Sequence, residues 1–226
     1  MIRHLGLLWL GAGLLASGRP ALGAKLDPLV TTWLNAQTNL QSWSADFVQT
    51  RSLKSLTQPL TAAGHVWFAT PNRFRWELGH PPQTIAVRAP QEMLVIYPRL
   101  QRVERYPLAG GETGQWRDAL ALLEAGFPRN EAELQAQYNI ASQSVSNRNC
   151  ELTLQPKSPA ARRMMPQIKI VFDARDLDLK GTELQFADGS TLRNDFANAM
   201  LNPPIPNLMF EPEIPKEYKL IEPFKK

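Results

Sequence analysis

Ser44-Ala45-Asp46-Phe47-Val48-Gln49-Thr50, Ala63-Gly64-His65-Val66-Trp67-Phe68 and Pro71-Asn72-Arg73-Phe74-Arg75-Trp76 follow one another within some thirty residues. Apolar and polar side chains alternate in all three: Trp43, Ala45 and Phe47 first, Val66 and Phe68 against His65 and Trp67 next, then Phe74 and Trp76 against Arg73 and Arg75. A period of two marks strands with one buried face. Short strands at such close spacing, with no helices between them, imply antiparallel pairing.

The pattern continues outward. Strand-like runs cover Gln83 to Ala89, Met93 to Tyr97, Gln101 to Tyr106, Tyr138 to Val145, Glu151 to Gln155, Gln167 to Phe172 and Leu177 to Phe186. Asp188-Gly189 is a hairpin signal leading into Thr191 to Phe196. Two segments break the alternation with helical spacing. Leu29, Val30, Trp33, Leu34 and Leu40 fall on one face of a helix that Asp27 caps and Pro28 opens. Gly114 to Ala125 carries Trp116, Leu120 and Leu123 at helical intervals before Gly126 ends it. The Pro-rich tail from Pro203 to Pro223 reads as extended edge segments. The expectation is an α+β chain: one long antiparallel sheet whose apolar face is covered by two amphipathic helices.

The first residues predict export. Arg3 and His4 precede an apolar run from Leu5 to Leu15, and Ala21-Leu22-Gly23 places small residues where a signal peptidase reads. That run is about half the length a membrane helix needs. Residues 1–23 are thus expected to be a cleavable signal peptide and 24–226 a single domain. The segment before the cleavage point lacks the cysteine that would receive a lipid, so the mature chain is expected to be unlipidated. Cys150 is the only cysteine of the 226 residues, so the core must hold without an intrachain disulfide. Without the signal the formal charge falls from +4 to +2, with both signs interspersed, which argues against nucleic-acid binding.

Catalytic constellations are absent. The expected mature chain holds two histidines, His65 and His80, and has no His-Glu-x-x-His, paired cysteines or Gly-x-Ser-x-Gly. His65 reads as an ordinary half-exposed strand residue, and Asp176 and Asp178 as a solvated turn. What is plentiful is aromatic and aliphatic surface on strands: Trp43, Phe47, Trp67, Phe68, Phe74, Trp76 and Tyr97, with Met93 beside them. Plain core packing would account for all of these equally well.

The three opening stretches, in order and spacing, resemble the outer-membrane lipoprotein carrier family, LolA. Leu94-Val95-Ile96-Tyr97-Pro98, Leu152-Thr153-Leu154-Gln155-Pro156-Lys157 and Phe210-Glu211-Pro212-Glu213-Ile214-Pro215 fit the same family. The resemblance implies an incomplete, unclosed antiparallel β-barrel, here of about eleven strands, with a hydrophobic cavity under a lid of helices. It implies a non-enzymatic periplasmic chaperone without cofactor or metal. Such a protein takes acylated lipoproteins from an inner-membrane lipoprotein-releasing ABC transporter and passes them to an outer-membrane lipoprotein acceptor. A monomer is expected.

By that resemblance Phe74 stands at the family's functionally important phenylalanine in Pro-x-x-Phe-x-Trp, and Trp76 at its tryptophan. Phe47, Phe68, Leu94 and Ile96 join them as cavity candidates on strand alternation, with Met93 as an adaptable neighbour. Trp33, Trp116, Leu120 and Leu123 are the lid candidates. Thr70 stands where the family often has an arginine that bonds the lid loops. Arg73 and Arg75 alternate with Phe74 and Trp76 and so point away from the cavity. That departure leaves room for a carrier of a glycolipid or another acylated molecule. Other readings are a periplasmic sensor of lipid or lipoprotein, and the lipid-anchored acceptor of the same fold, which the missing cysteine disfavours. An enzyme acting on lipid or glycan ranks last.

Overall fold

Residues 26–88, 91–108 and 130–223 are described by a computed structural model, in which the alternating stretches are neighbouring strands of one sheet. The strands are β1 (Ser42–Ser52), β2 (Leu60–Ala69), β3 (Arg73–Leu78), β4 (Thr84–Arg88), β5 (Glu92–Tyr97) and β6 (Arg102–Pro107), followed by β7 (Tyr138–Ser146), β8 (Asn149–Pro156), β9 (Gln167–Asp173), β10 (Leu179–Gln185), β11 (Thr191–Leu201) and β12 (Lys219–Ile221). Their order across the sheet is β12-β6-β5-β4-β3-β2-β1-β11-β10-β9-β8-β7. All pairs are antiparallel except β12 with β6. The two ends of the sheet, β12 and β7, do not pair, so the sheet is unclosed. Twelve strands stand among the described residues against about eleven expected. The difference is β12, three residues of the Pro-rich tail whose pairing no alternation could announce.

Local chemistry places the turns. Asp27 accepts from the Leu29 amide at 2.8 Å and Pro28 fills the first turn of α1 (Pro28–Thr38). The Asp188-Gly189 signal holds: the Asp188 carboxylate accepts from the Ser190 amide and hydroxyl at 2.8 and 2.6 Å, and Gly189 takes φ +80°. Two short helices add to the expected elements, α2 (Glu131–Gln137) capped by Asn130 and α3 (Pro159–Met164) capped by Ser158. At seven and six residues they show little helical periodicity to read. The expected helix over 114–125, with Trp116, Leu120 and Leu123, lies outside the described residues, as do the signal peptide and its cleavage point.

One face of the sheet, here called inner, carries α1 and the main core. Val30, Trp33 and Leu34 of α1 pack with Leu152 and Leu154 of β8 and Ile168, Ile170 and Phe172 of β9, all completely buried. Trp33 stacks on Phe172 with centroids 4.8 Å apart and planes 7° off parallel. Cys150 is sealed in this core, and burial, helped by the charge of Asp27, pushes its thiol up to about 11. Such a thiol stays protonated and inert at neutral pH.

On the other, outer, face the tail lies across β3 and β4. Phe210, with Ile205 and Met209, packs on Ala69 and Val87. Arg73 donates to Asn207 Oδ1 at 2.8 Å and to the Thr70 carbonyl at 3.2 Å, and its guanidinium sits 5.1 Å from the Phe210 ring centre. Arg75 donates to Glu77 at 2.6 Å and to the Met209 carbonyl at 3.2 Å. Both arginines thus hold the tail, pointing away from the inner face as their alternation requires. Arg73→Ala should cost about 1–2 kcal/mol. Hydrogen exchange should locate the loss at the turn Asn207–Phe210, leaving β8 and β9 protected.

Candidate functional site

Pairing register arranges the inner face of β1–β6 in three rows. Trp43, Phe68, Phe74, Arg88, Met93 and Tyr106 form the first, and Ala45, Val66, Trp76, Ala86, Val95 and Glu104 the second. Phe47, Gly64, Leu78, Thr84, Tyr97 and Arg102 form the third. Members of a row are cross-strand neighbours, with Cβ atoms about 5 Å apart. The first row is aromatic at its β1 end, and the first two rows end on β6 in Tyr106 and Glu104.

The rings interlock. Phe47 lies 4.1 Å from Trp76 between ring centres, while Phe196 of β11 meets Trp43 edge-on at 5.3 Å and Trp76 at 6.3 Å. Phe47 reaches Trp76 by lying over β2, and that path is open only because residue 64 has no side chain. A Cβ on Gly64 would sit 2.3 Å from Phe47 Cζ and 2.2 Å from the Glu77 carbonyl oxygen. Phe74 and Met93 close a second cluster with Val95 and Tyr106, against which Trp76, Ala86 and Tyr97 pack in part. Trp76 touches both clusters and joins them into one wall.

The two halves of the inner face differ in how tightly they are sealed. Beneath α1 the core residues are completely buried, whereas Phe68, Trp76, Leu78, Ala86 and Tyr97 remain half-buried on the β2–β5 wall. Phe74 itself is 7% exposed. An aromatic wall with part of its area in water is unlike a core and like a binding surface.

Polar groups line its β6 side. Tyr106 donates its hydroxyl to Glu104 Oε2 at 2.6 Å, Arg102 pairs with Glu104 Oε1 at 3.1 Å, and the Arg102 guanidinium lies 4.5 Å from the centre of the Tyr97 ring. Burial and then the hydrogen bond to Glu104 raise the Tyr106 phenol well above its usual range; burial and the charge of Glu104 raise Tyr97. Both stay neutral donors in the physiological range. Arg88 stands in the aromatic row between Phe74 and Met93, and burial draws its pKa down.

The sequence candidates separate on this frame. Phe47, Phe68, Phe74, Trp76 and Met93 come together on the inner wall. Leu94 and Ile96 do not: they pair with Val87 and Ile85, on the face where the tail packs, because neighbours along β5 must alternate. Trp33, expected in the lid, lies in the fully packed half, five strands from β3 in the sheet order. Thr70 is engaged at the ends of β1 and β2, donating to the Gln41 carbonyl at 3.3 Å and side chain at 3.2 Å. Arg88, Tyr106, Phe196 and Gly64 belong to the wall without being among the sequence candidates; Phe196, alternating in its strand, is the one that pattern alone could have found.

Among the described residues no three His, Cys, Asp or Glu side chains converge on a metal site. His65 lies on the outer face with Nδ1 2.7 Å from Asp46 Oδ1. Asn198 also donates to Asp46, and this bond, with that of His65, lowers the carboxyl pKa. No described helix is long and apolar enough to cross a membrane.

Comparison with known proteins agrees with the sheet. The family model described as outer membrane lipoprotein carrier protein LolA matches residues 38–213. An outer-membrane lipoprotein carrier protein of Chromohalobacter salexigens is 27% identical over 179 residues, 79% of each chain. The crystal structure of an uncharacterized conserved protein from Thermus thermophilus shares the fold, with a TM-score of 0.51 at 8% identity over 85% of this chain and 97% of that one. A LolA superfamily protein from Nitrosomonas europaea is 8% identical over 80% of this chain and 96% of that chain, with a TM-score of 0.40.

Proposed function

The chain belongs to the outer membrane lipoprotein carrier family LolA, and from that membership we propose that it is a carrier which shelters the acyl chains of a lipoprotein against the inner wall of β1–β6. The carrying observation is the half-buried aromatic wall around Phe74 and Trp76, beside a core that is fully sealed. Each methylene taken from water contributes about 0.8 kcal/mol. Two or three long chains therefore cannot cross an aqueous compartment bare. A carrier must also release them, so a wall of rings and Met93 that adapts to its occupant suits the task better than close packing.

In this reading residues 1–23 are the export signal and the mature chain, one domain over 24–226, works free in the periplasm. The cargo arrives from the inner-membrane lipoprotein-releasing transporter and leaves to an outer-membrane acceptor. Phe74, Trp76, Phe47, Phe68 and Met93 are the cargo-contacting residues. The protein is a binding protein and not an enzyme. Thr70, in place of a basic residue, favours a second reading in which the acylated cargo is a glycolipid.

The test uses purified mature protein mixed with a triacylated lipopeptide or with the same peptide lacking its chains. The acylated peptide alone should co-elute with the protein in gel filtration. Retention of both peptides, or of neither, contradicts the proposal.

A further inference from the structure

Arg88 is the one residue of the first row that does not belong in an aromatic wall. It ends β4 as the cross-strand neighbour of Phe74 on one side and of Met93 on the other. Val87 before it turns to the outer face and packs with Phe210, so alternation fixes Arg88 on the inner one. The residue is half-buried. A guanidinium carries five N–H donors, so it can serve a ligand while keeping contacts within the protein. Its planar fork suits oxygens in carboxyl-like geometry, and an apolar setting strengthens the bond it makes to them.

The other charges on this wall are arranged differently. Among the described inner-face residues of β2–β6 two guanidiniums, Arg88 and Arg102, accompany one carboxylate, Glu104. Glu104 is held within its own strand by Arg102 at 3.1 Å and by Tyr106 at 2.6 Å. It also stands one row away from Arg88 and two strands over. Arg102 and Glu104 thus pair with each other at β6, and Arg88 at β4 is set between Phe74 and Met93, on the wall that would take a chain.

Resting on the carrier reading, we propose that Arg88 is the head anchor of the wall, its guanidinium donating to the carboxyl-level oxygens at the head of an acyl chain laid over Phe74 and Met93. The ligand class is a long chain ending in a carboxylate or an ester carbonyl. Arg88 sets where the chain begins, and so how much of it the wall covers. A chain of equal length ending in a hydroxyl gains the apolar contacts but not the bidentate acceptor.

The test measures displacement of the neutral fluorescent probe N-phenyl-1-naphthylamine from the wild-type mature protein by myristate, methyl myristate and tetradecanol. Myristate should displace the probe at roughly tenfold lower concentration than tetradecanol. Arg88→Met, close in volume, should shrink that ratio to within about twofold while tetradecanol still competes, and Arg88→Lys should restore part of it. Methyl myristate distinguishes the sources: if it matches myristate, an ester-linked chain is a sufficient ligand; if it matches tetradecanol, the ligand is a free acid. A wild-type protein that does not distinguish the three compounds, or a preference that survives Arg88→Met, overturns the anchor and leaves the carrier reading standing. Failure of all three to compete overturns both.

Discussion

Phe74→Glu should lower the affinity for acylated cargo by about tenfold or more and leave the protein folded. The pairing register decides both halves of this expectation. Phe74 stands between Phe68 and Arg88 in the first row, so a carboxylate at position 74 faces the Arg88 guanidinium across one strand gap. An ion pair there offsets the desolvation that otherwise makes a buried charge destabilising. The same pair places two charges in the middle of the wall and occupies Arg88, so chains lose apolar contact and head anchor together. Cargo retention and thermal melting, measured on one preparation, separate the two effects. Phe74→Leu should hold cargo within about threefold, since it trades one apolar surface for another. A folded Phe74→Glu protein that binds cargo normally would remove Phe74 from the site.

Gly64→Ala should cost about 3 kcal/mol. The added Cβ meets a backbone oxygen, that of Glu77, as well as the Phe47 ring. A side chain can give way, but a strand carbonyl moves only with its ladder. For a domain of this size the loss corresponds to a fall in melting temperature of about 10 °C. The double variant Gly64→Ala, Phe47→Leu should recover only part of it, because removing the ring leaves the carbonyl contact. Full recovery would show that the ring alone fills the space above Gly64. Cargo binding should fall in step, since Phe47 and Trp76 pack together over that position.

The strand pattern is legible wherever one face meets apolar groups and the other water. Trp43, Ala45 and Phe47 are buried as their alternation predicts, with Asp46 and Val48 exposed, although Ser42 and Ser44 are buried as well. Caps are legible for the same local reason: Asp27 and Asp188 each satisfy amides within two residues. β5 is not. Its run Glu92-Met93-Leu94-Val95-Ile96-Tyr97 is apolar on both faces, because the inner wall claims Met93 and Val95 while Ile96 is buried on the outer face. Alternation alone cannot say which set lines the inner wall, and the register places Leu94 and Ile96 on the outer face. Arg88 escapes notice because a charged strand residue reads as solvent-facing. Only the register that seats it between Phe74 and Met93 places it on the wall. Gly64 carries no pattern at all; its role is the room it leaves for a ring and a carbonyl brought close by pairing.

The carrier account predicts that the wall around Phe74 touches acyl chains when cargo is loaded. A photo-reactive p-benzoylphenylalanine at position 74, irradiated in protein loaded with a triacylated lipopeptide and analysed by mass spectrometry, asks that question at one atom. The account predicts an adduct carrying the mass of the lipopeptide, with the link on an acyl chain. Crosslinks confined to the protein's own side chains, Met93 or Tyr106 among them, would make Phe74 a core residue and contradict it.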